Sequence, residues 1–182
     1  MSDAFPVRQR LRSETAGWHD RVDAVFTRFD LSDAVSYGRF LTAQAMAHLA
    51  VEAALDAAGV AAVLPDWPDR QRAPLLRSDL AALGLATPPL RPFSVLDGAA
   101  ALLGAAYVLE GSRLGGALLR RSVPAALPTQ FLGASDSAAW RRLLDALDRH
   151  VTTAEDVAAA TISARQVFSL FEESGTTILK AA

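Results

Sequence analysis

His19 is the residue whose neighbours best fit metal chemistry. If residues 7–28 form a helix, steps of three and four place four polar residues on one side of it: Arg12, Thr15, His19 and Asp23. An imidazole can ligate iron, and a carboxylate one turn away can orient its other nitrogen. Arg12 lies about 10 Å from His19 along the axis, where it could meet a ligand carboxylate. The same face could also be a solvated charged surface.

The other two histidines carry weaker signals. His48 stands in the apolar segment AQAMAHLAV, which is typical of a core histidine whose hydrogen bonds are satisfied. His150 ends a predicted helix, where a cation interacts favourably with the helix dipole. We therefore expect His19 to be the metal ligand.

Three glycines interrupt an apolar stretch, YVLEGSRLGG from Tyr107 to Gly116. Each costs a helix interior about 1 kcal/mol relative to alanine. Without a Cβ, Gly111, Gly115 and Gly116 allow close approach of another group, either a second helix or a large flat ligand. Three glycines so close together also favour a kink in the helix.

The amino-acid composition and the charge of the chain exclude several classes of function. The chain of 182 residues contains no cysteine, so it has no disulfide, zinc–thiolate site or cysteine nucleophile. A net charge of −2 gives no indication of nucleic-acid binding. Glu110 and Arg113 interrupt the longest apolar run, and the first residues lack the apolar segment of a signal peptide. We expect a soluble cytoplasmic protein that binds neither nucleic acid nor membrane.

The elements that must position these residues are all helical. Apolar residues make up 51% of the chain, alanine and leucine dominate, and no segment alternates as a strand would. We predict an all-α bundle of six or seven helices in one domain over residues 1–182. The first predicted helices cover residues 7–28 and a segment from Ser32 or Asp33 to near Gly59. A short helix ending at Gly84 and a helix over Ser94–Leu119 follow. Two more helices come after residue 136, and a capping box of Thr153 and Asp156 begins the second of them.

Two segments together resemble one family. LRSETAGWHDRVDAVF is similar to the first-helix signature of heme oxygenases, and LGAAYVLEGSRLGGALL resembles their glycine-rich distal helix. The form YVLEGSRLGG is most similar to the bacterial branch that accompanies bacteriophytochromes. About 90 residues separate the two motifs, as in that family, and the helix order agrees over nearly the whole chain.

The resemblance implies a role for each matching residue. His19 would be the proximal iron ligand, with Asp23 as the acidic group beside it and Arg12 as the partner of a heme propionate. The distal wall would consist of Gly111, Ser112, Gly115 and Gly116. Further contacts with heme would come from Thr15, Tyr107 and Arg113.

The resemblance also implies a reaction. Heme would be both cofactor and substrate, and the products would be biliverdin, Fe²⁺ and carbon monoxide. An external donor such as ferredoxin or ascorbate would supply electrons, and a bacteriophytochrome would receive the bilin. Ser112 stands where the animal enzymes have aspartate, and Arg113 stands where a small neutral residue is expected. Two alternatives remain: a non-catalytic binder of heme or biliverdin with the same fold, and a helical interaction protein without a tetrapyrrole.

Overall fold

The structure, a computed structural model, describes residues 7–133 and 136–181. The described residues form helices and connecting loops and contain no strand, so the predicted all-α fold is confirmed. The helices are α1 (Val7–Phe26), α2 (Ala34–Ala57), α3 (Trp67–Arg70), α4 (Ala73–Ala82), α5 (Gly98–Leu119), α6 (Ser137–His150) and α7 (Ala154–Lys180). Short 3₁₀ turns cover Val60–Ala62 and Arg120–Ser122.

Local sequence signals fix several helix ends. Asp33 caps α2 by accepting a hydrogen bond from the Ser36 amide, as predicted. The predicted capping box of α7 is also present, with Thr153 and Asp156 each accepting a backbone hydrogen bond from the other end of the motif. Gly59 lies beyond the end of α2 and adopts φ +72°, a conformation that glycine enters at little cost.

One predicted boundary is wrong. The helix expected from Ser94 begins at Gly98, because the preceding residues form a loop in which Val95 is almost fully exposed. The short helix expected before Gly84 is present as α4, and the loop expected before it contains one further short helix, α3. The signal-peptide expectation concerns the segment MSDAFPVRQRLRSE, whose residues 1–6 lie outside the described residues.

The core forms where α7 packs against α1, α2 and α5. The approach of α5 to α7 is closest at Gly104, where a Cβ would lie 2.7 Å from the carbonyl carbon of Ala160 and 2.5 Å from Ser163 Oγ. This contact fixes the spacing of α5 and α7. None of the described helices is long and apolar enough to cross a membrane.

Candidate active site

A cavity of about 710 Å³ opens between α1 and α5 and extends to α7. Its volume lies in the range of small-molecule and cofactor sites. Apolar and aromatic side chains form most of its wall, and polar groups enter from α1, α5 and the start of α4. Of the ten residues predicted for the site, nine line this cavity: Arg12, Thr15, His19, Asp23, Tyr107, Gly111, Ser112, Gly115 and Gly116.

His19 and Asp23 form the arrangement expected of a metal ligand and its orienting carboxylate. His19 Nδ1 lies 3.1 Å from Asp23 Oδ2, one helical turn further along α1. The His19 side chain is 60% exposed and lines the cavity. A carboxylate this close to Nδ1 favours the tautomer in which Nε2 carries the lone pair that a metal ion requires.

No described group of three or more His, Cys, Asp or Glu side chains could hold a metal ion. A single imidazole suits a metal whose other ligands come with it, as the iron of a porphyrin does. The donor set and the cavity therefore fit heme better than a free metal ion.

Gly111, Gly115 and Gly116 of α5 present backbone without side chains to the cavity. A Cβ added at Gly111 or Gly115 would meet no atom within 4 Å, and one at Gly116 would lie 3.6 Å from Leu132 Cα, an ordinary contact. Gly111 and Gly115 therefore do not serve the packing of helices. That role belongs to Gly104, which the sequence analysis did not single out.

One end of the cavity is cationic and aromatic. Arg12 and Arg8, one turn earlier on α1, both line it, and the Arg8 guanidinium lies 6.0 Å from the centre of the Trp140 ring. The rings of Tyr107 and Trp140 are 5.5 Å apart, and burial raises the pKa of Tyr107. Arg8 was not predicted, although its position four residues before Arg12 places it on the same helical face.

The Thr15 hydroxyl has no free donor to offer a ligand in the cavity. Its buried hydroxyl donates a 2.6 Å hydrogen bond to the Leu11 carbonyl within α1. The hydroxyl proton is thus engaged, and Thr15 lines the wall mainly through its shape.

Arg72 is a second functional candidate that the sequence analysis missed. It is only 4% exposed and lines the cavity, and its Nη2 donates 2.7 Å hydrogen bonds to the Leu109 carbonyl and to Ser112 Oγ. Burial lowers its pKa to about 10, with the nearby Arg113 as a second cause. A guanidinium at this pKa is still charged at neutral pH, so Arg72 is a fixed cation beside the glycine segment. No local motif around RQRAP distinguishes it from the exposed arginines.

Arg113 lies outside the cavity wall. Its guanidinium donates to the Arg70 carbonyl and lies 3.9 Å from Glu110, while Glu110 itself is buried and paired with Arg70 at 3.0 Å. The helical rotation that turns Ser112 towards the cavity turns Arg113 away from it. Arg113 belongs to the charged contact between α3 and α5.

His48 is the buried core histidine that its sequence suggested. It is fully buried, and its Nε2 lies 2.7 Å from Glu52 Oε1, while its Nδ1 has no partner among the described residues. Burial and the charge of Arg72 lower the pKa of His48, so the imidazole is neutral and donates through Nε2. Glu52 in turn accepts the backbone amides of Arg72 and Ala73, which fixes the start of α4.

Comparisons with known proteins agree with this geometry. No family model matches the chain. Over 116 residues it is 38% identical to a heme oxygenase of Xanthomonas campestris pv. campestris (strain 8004), an alignment that covers 58% of this chain and 67% of the relative. The fold is similar to that of heme oxygenase from Neisseria meningitidis in its NO- and CO-bound forms, with a TM-score of 0.84, 23% identity, and coverage of 98% of this chain and 94% of the other. It is also similar to heme oxygenase from Leptospira interrogans, with a TM-score of 0.74, 18% identity, and coverage of 95% and 100%.

Proposed function

Because this chain belongs to the heme oxygenase family, we propose that its cavity binds heme as substrate and cleaves it oxidatively to biliverdin, Fe²⁺ and carbon monoxide. One observation carries the proposal: the imidazole of His19 and the bare backbone of Gly111 and Gly115 face the same cavity. A flat metal-bearing ring needs both a ligand on one wall and clearance on another.

His19 would hold the substrate through Nε2, and Asp23, 3.1 Å from Nδ1, would orient the imidazole. A neutral histidine donates less electron density to iron than a thiolate does, which disfavours the O–O cleavage typical of thiolate-ligated heme enzymes. Heme, when bound, supplies the iron that activates oxygen and the porphyrin that is oxidised.

Arg12 would pair with a heme carboxylate at the cationic end of the cavity, where Tyr107 also lines the wall. Such an ion pair would help to orient the substrate in the cavity.

Ser112 and Arg72 organise water on the side of the cavity formed by α5. The Ser112 hydroxyl accepts from Arg72 and donates to the Leu109 carbonyl, so its orientation is fixed. With heme bound, proton delivery on this side would depend on water held by Ser112 and Arg72, because no carboxylic acid stands in the α5 segment of the wall.

The finer features of the function rest on the resemblance of YVLEGSRLGG to the phytochrome-associated branch. We propose ferredoxin or ascorbate as the electron donor, a bacteriophytochrome as the recipient of the bilin, the cytoplasm as the compartment, and one domain over residues 1–182.

The test combines binding with turnover. Hemin added to the purified chain should give a Soret band that saturates at about one heme per chain, and His19→Ala should abolish or strongly shift that band. His150→Ala is the matched control, since it also removes an imidazole from a helix but lies away from the cavity.

Turnover is then measured with ascorbate, oxygen and catalase, the last of which removes free peroxide. Loss of the Soret band with formation of biliverdin and carbon monoxide is the expected result. Stable heme without biliverdin or carbon monoxide would favour a non-catalytic binder of the same fold. A hemin spectrum that the chain does not change would favour an interaction protein without a tetrapyrrole.

A further inference from the structure

Asp79 of α4 is a fully buried carboxylate. Within the described residues 7–133 and 136–181 it makes no ion pair. An ionised group in such a position is costly unless hydrogen bonds replace its lost hydration. The hydrogen bonds of Asp79 therefore show which part of the fold this carboxylate holds.

Both oxygens of Asp79 hold the chain segment that precedes α6. Oδ1 accepts a 3.1 Å hydrogen bond from the Gln130 amide, and Oδ2 accepts a 2.8 Å hydrogen bond from the Phe131 amide. Tyr37 of α2 holds the same segment, because its hydroxyl donates a 2.8 Å hydrogen bond to the Pro128 carbonyl. Burial and the nearby charge of Asp79 raise the pKa of Tyr37, so the phenol stays protonated and remains a donor.

Residues 128–132, which we call the 128–132 segment, form part of the cavity wall. Phe131 and Leu132 are buried, and both line the cavity. The guanidinium carbon of Arg72 lies 4.8 Å from the centre of the Phe131 ring. Leu132 lies beside the glycine-bearing end of α5, where its Cα would be 3.6 Å from a Cβ at Gly116. The 128–132 segment thus contacts two groups of the candidate site, the cation of Arg72 and the glycine backbone.

We propose that Asp79 is a positioning residue for the substrate, which acts through the 128–132 segment and does not itself line the cavity. This inference rests on the proposed function, because the substrate that this wall contacts is heme. Two charge-assisted hydrogen bonds fix the backbone of Gln130 and Phe131 before the substrate arrives, so binding does not have to order this part of the wall. Without them, part of the binding free energy is consumed in that ordering.

Asparagine at position 79 isolates this effect. It has nearly the shape of aspartate, but its amide offers one oxygen acceptor and turns an NH₂ group towards a backbone N–H donor. Asp79→Asn should bind hemin at least about tenfold more weakly than the wild type in a Soret titration, because a buried hydrogen bond to a charged group is lost. In the heme-free variant, NMR should show faster hydrogen exchange at the amides of Gln130 and Phe131.

Asp156→Asn is the matched control. Asp156 also accepts two backbone amides, those of Thr152 and Thr153, but it does not line the cavity or contact the 128–132 segment. Asp156→Asn should therefore lower the free energy of unfolding and leave hemin affinity unchanged. A double-mutant cycle then separates positioning from stability: in a Phe131→Ala background, Asp79→Asn should weaken hemin binding by less than about threefold, because the side chain through which it acts is absent.

Tyr37→Phe is a milder second variant that keeps the test available if Asp79→Asn does not fold. It removes the hydrogen bond to the Pro128 carbonyl and should weaken hemin binding about threefold, an effect that should also disappear in the Phe131→Ala background.

Four results would overturn the inference while the wild type binds hemin. They are wild-type affinity in the folded Asp79→Asn and Tyr37→Phe variants, an equal loss of affinity with and without the Phe131 ring, an equal loss in Asp156→Asn, and fast exchange of the Gln130 and Phe131 amides in the wild type. Failure of the wild type to bind hemin would instead overturn the proposed function, and this inference with it.

Discussion

Alanine at Gly104 and alanine at Gly115 should change the stability of the heme-free chain in opposite directions. Both glycines lie inside α5, so each replacement gains about 1 kcal/mol of helix propensity. At Gly115 nothing lies within 4 Å of the new Cβ, and the gain is retained. The expected result is a rise of about 0.5–1 kcal/mol in the free energy of unfolding.

At Gly104 the new methyl group meets the backbone of Ala160, which α7 cannot move easily, and crowds Ser163 Oγ. Overpacking of this kind costs about 1–3 kcal/mol or more. The hydrogen bond from Ser163 Oγ to the Ala101 carbonyl is displaced as well, at about 1 kcal/mol. After the propensity gain, a net loss of about 2–3 kcal/mol remains, which lowers Tm by about 5–10 °C.

Urea unfolding followed by circular dichroism measures both changes, and hemin titration separates stability from binding. Gly115→Leu should bind hemin at least about tenfold more weakly than the wild type while remaining folded, because its side chain occupies the cavity. A destabilised Gly115→Ala, or a Gly104→Ala as stable as the wild type, would refute the assignment of one glycine to substrate clearance and the other to helix packing.

Two further predictions concern His48 and Arg113, neither of which lines the cavity. Burial lowers the pKa of His48 below 6.5, so on acidification the unfolded chain binds a proton that the folded chain does not bind. The free energy of unfolding should therefore fall as pH drops from about 7 to 5. His48→Gln, which keeps a donor for Glu52, should reduce this pH dependence in urea titrations. An equal slope in the variant would contradict this origin. Arg113→Thr should lower the free energy of unfolding by about 1–2 kcal/mol through loss of the hydrogen bond to the Arg70 carbonyl, yet leave the Soret band of the hemin complex unchanged; a shifted band would show that Arg113 reaches the cavity.

Local sequence patterns were sufficient to predict most of the helices and the residues that share one face of α1. Helix caps such as Asp33 and Thr153 depend only on neighbouring residues, and the spacing from Arg12 to Asp23 places these residues on one face of any α-helix. The start of α5 was misjudged because the apolar residues of its preceding loop continue the composition of the helix, whereas Val95 in fact faces solvent.

The rest of the site depends on contacts between distant segments. Arg72 reaches the cavity because Glu52, twenty residues earlier, anchors its backbone amide. Gly104 differs from Gly115 only in what α7 brings near it, which no local pattern contains. Arg113 was expected at the heme because it lies inside the motif, but Glu110 and Arg70 hold its guanidinium on the other side of the helix.

The burial of α1 has a consequence for substrate entry and product release. Leu11 and Thr15 are its buried residues, although the helix provides a long wall of the cavity. A helix with so few buried residues is expected to open locally at low cost, and its amide hydrogens should exchange early in the heme-free chain. Heme bound to His19, as proposed above, would add a packing partner for α1, so ordering of the helix and binding would be thermodynamically linked and part of the binding free energy would be consumed in that ordering. Conversion of the substrate to product would remove that bond, and the ordering of α1 would be lost with it.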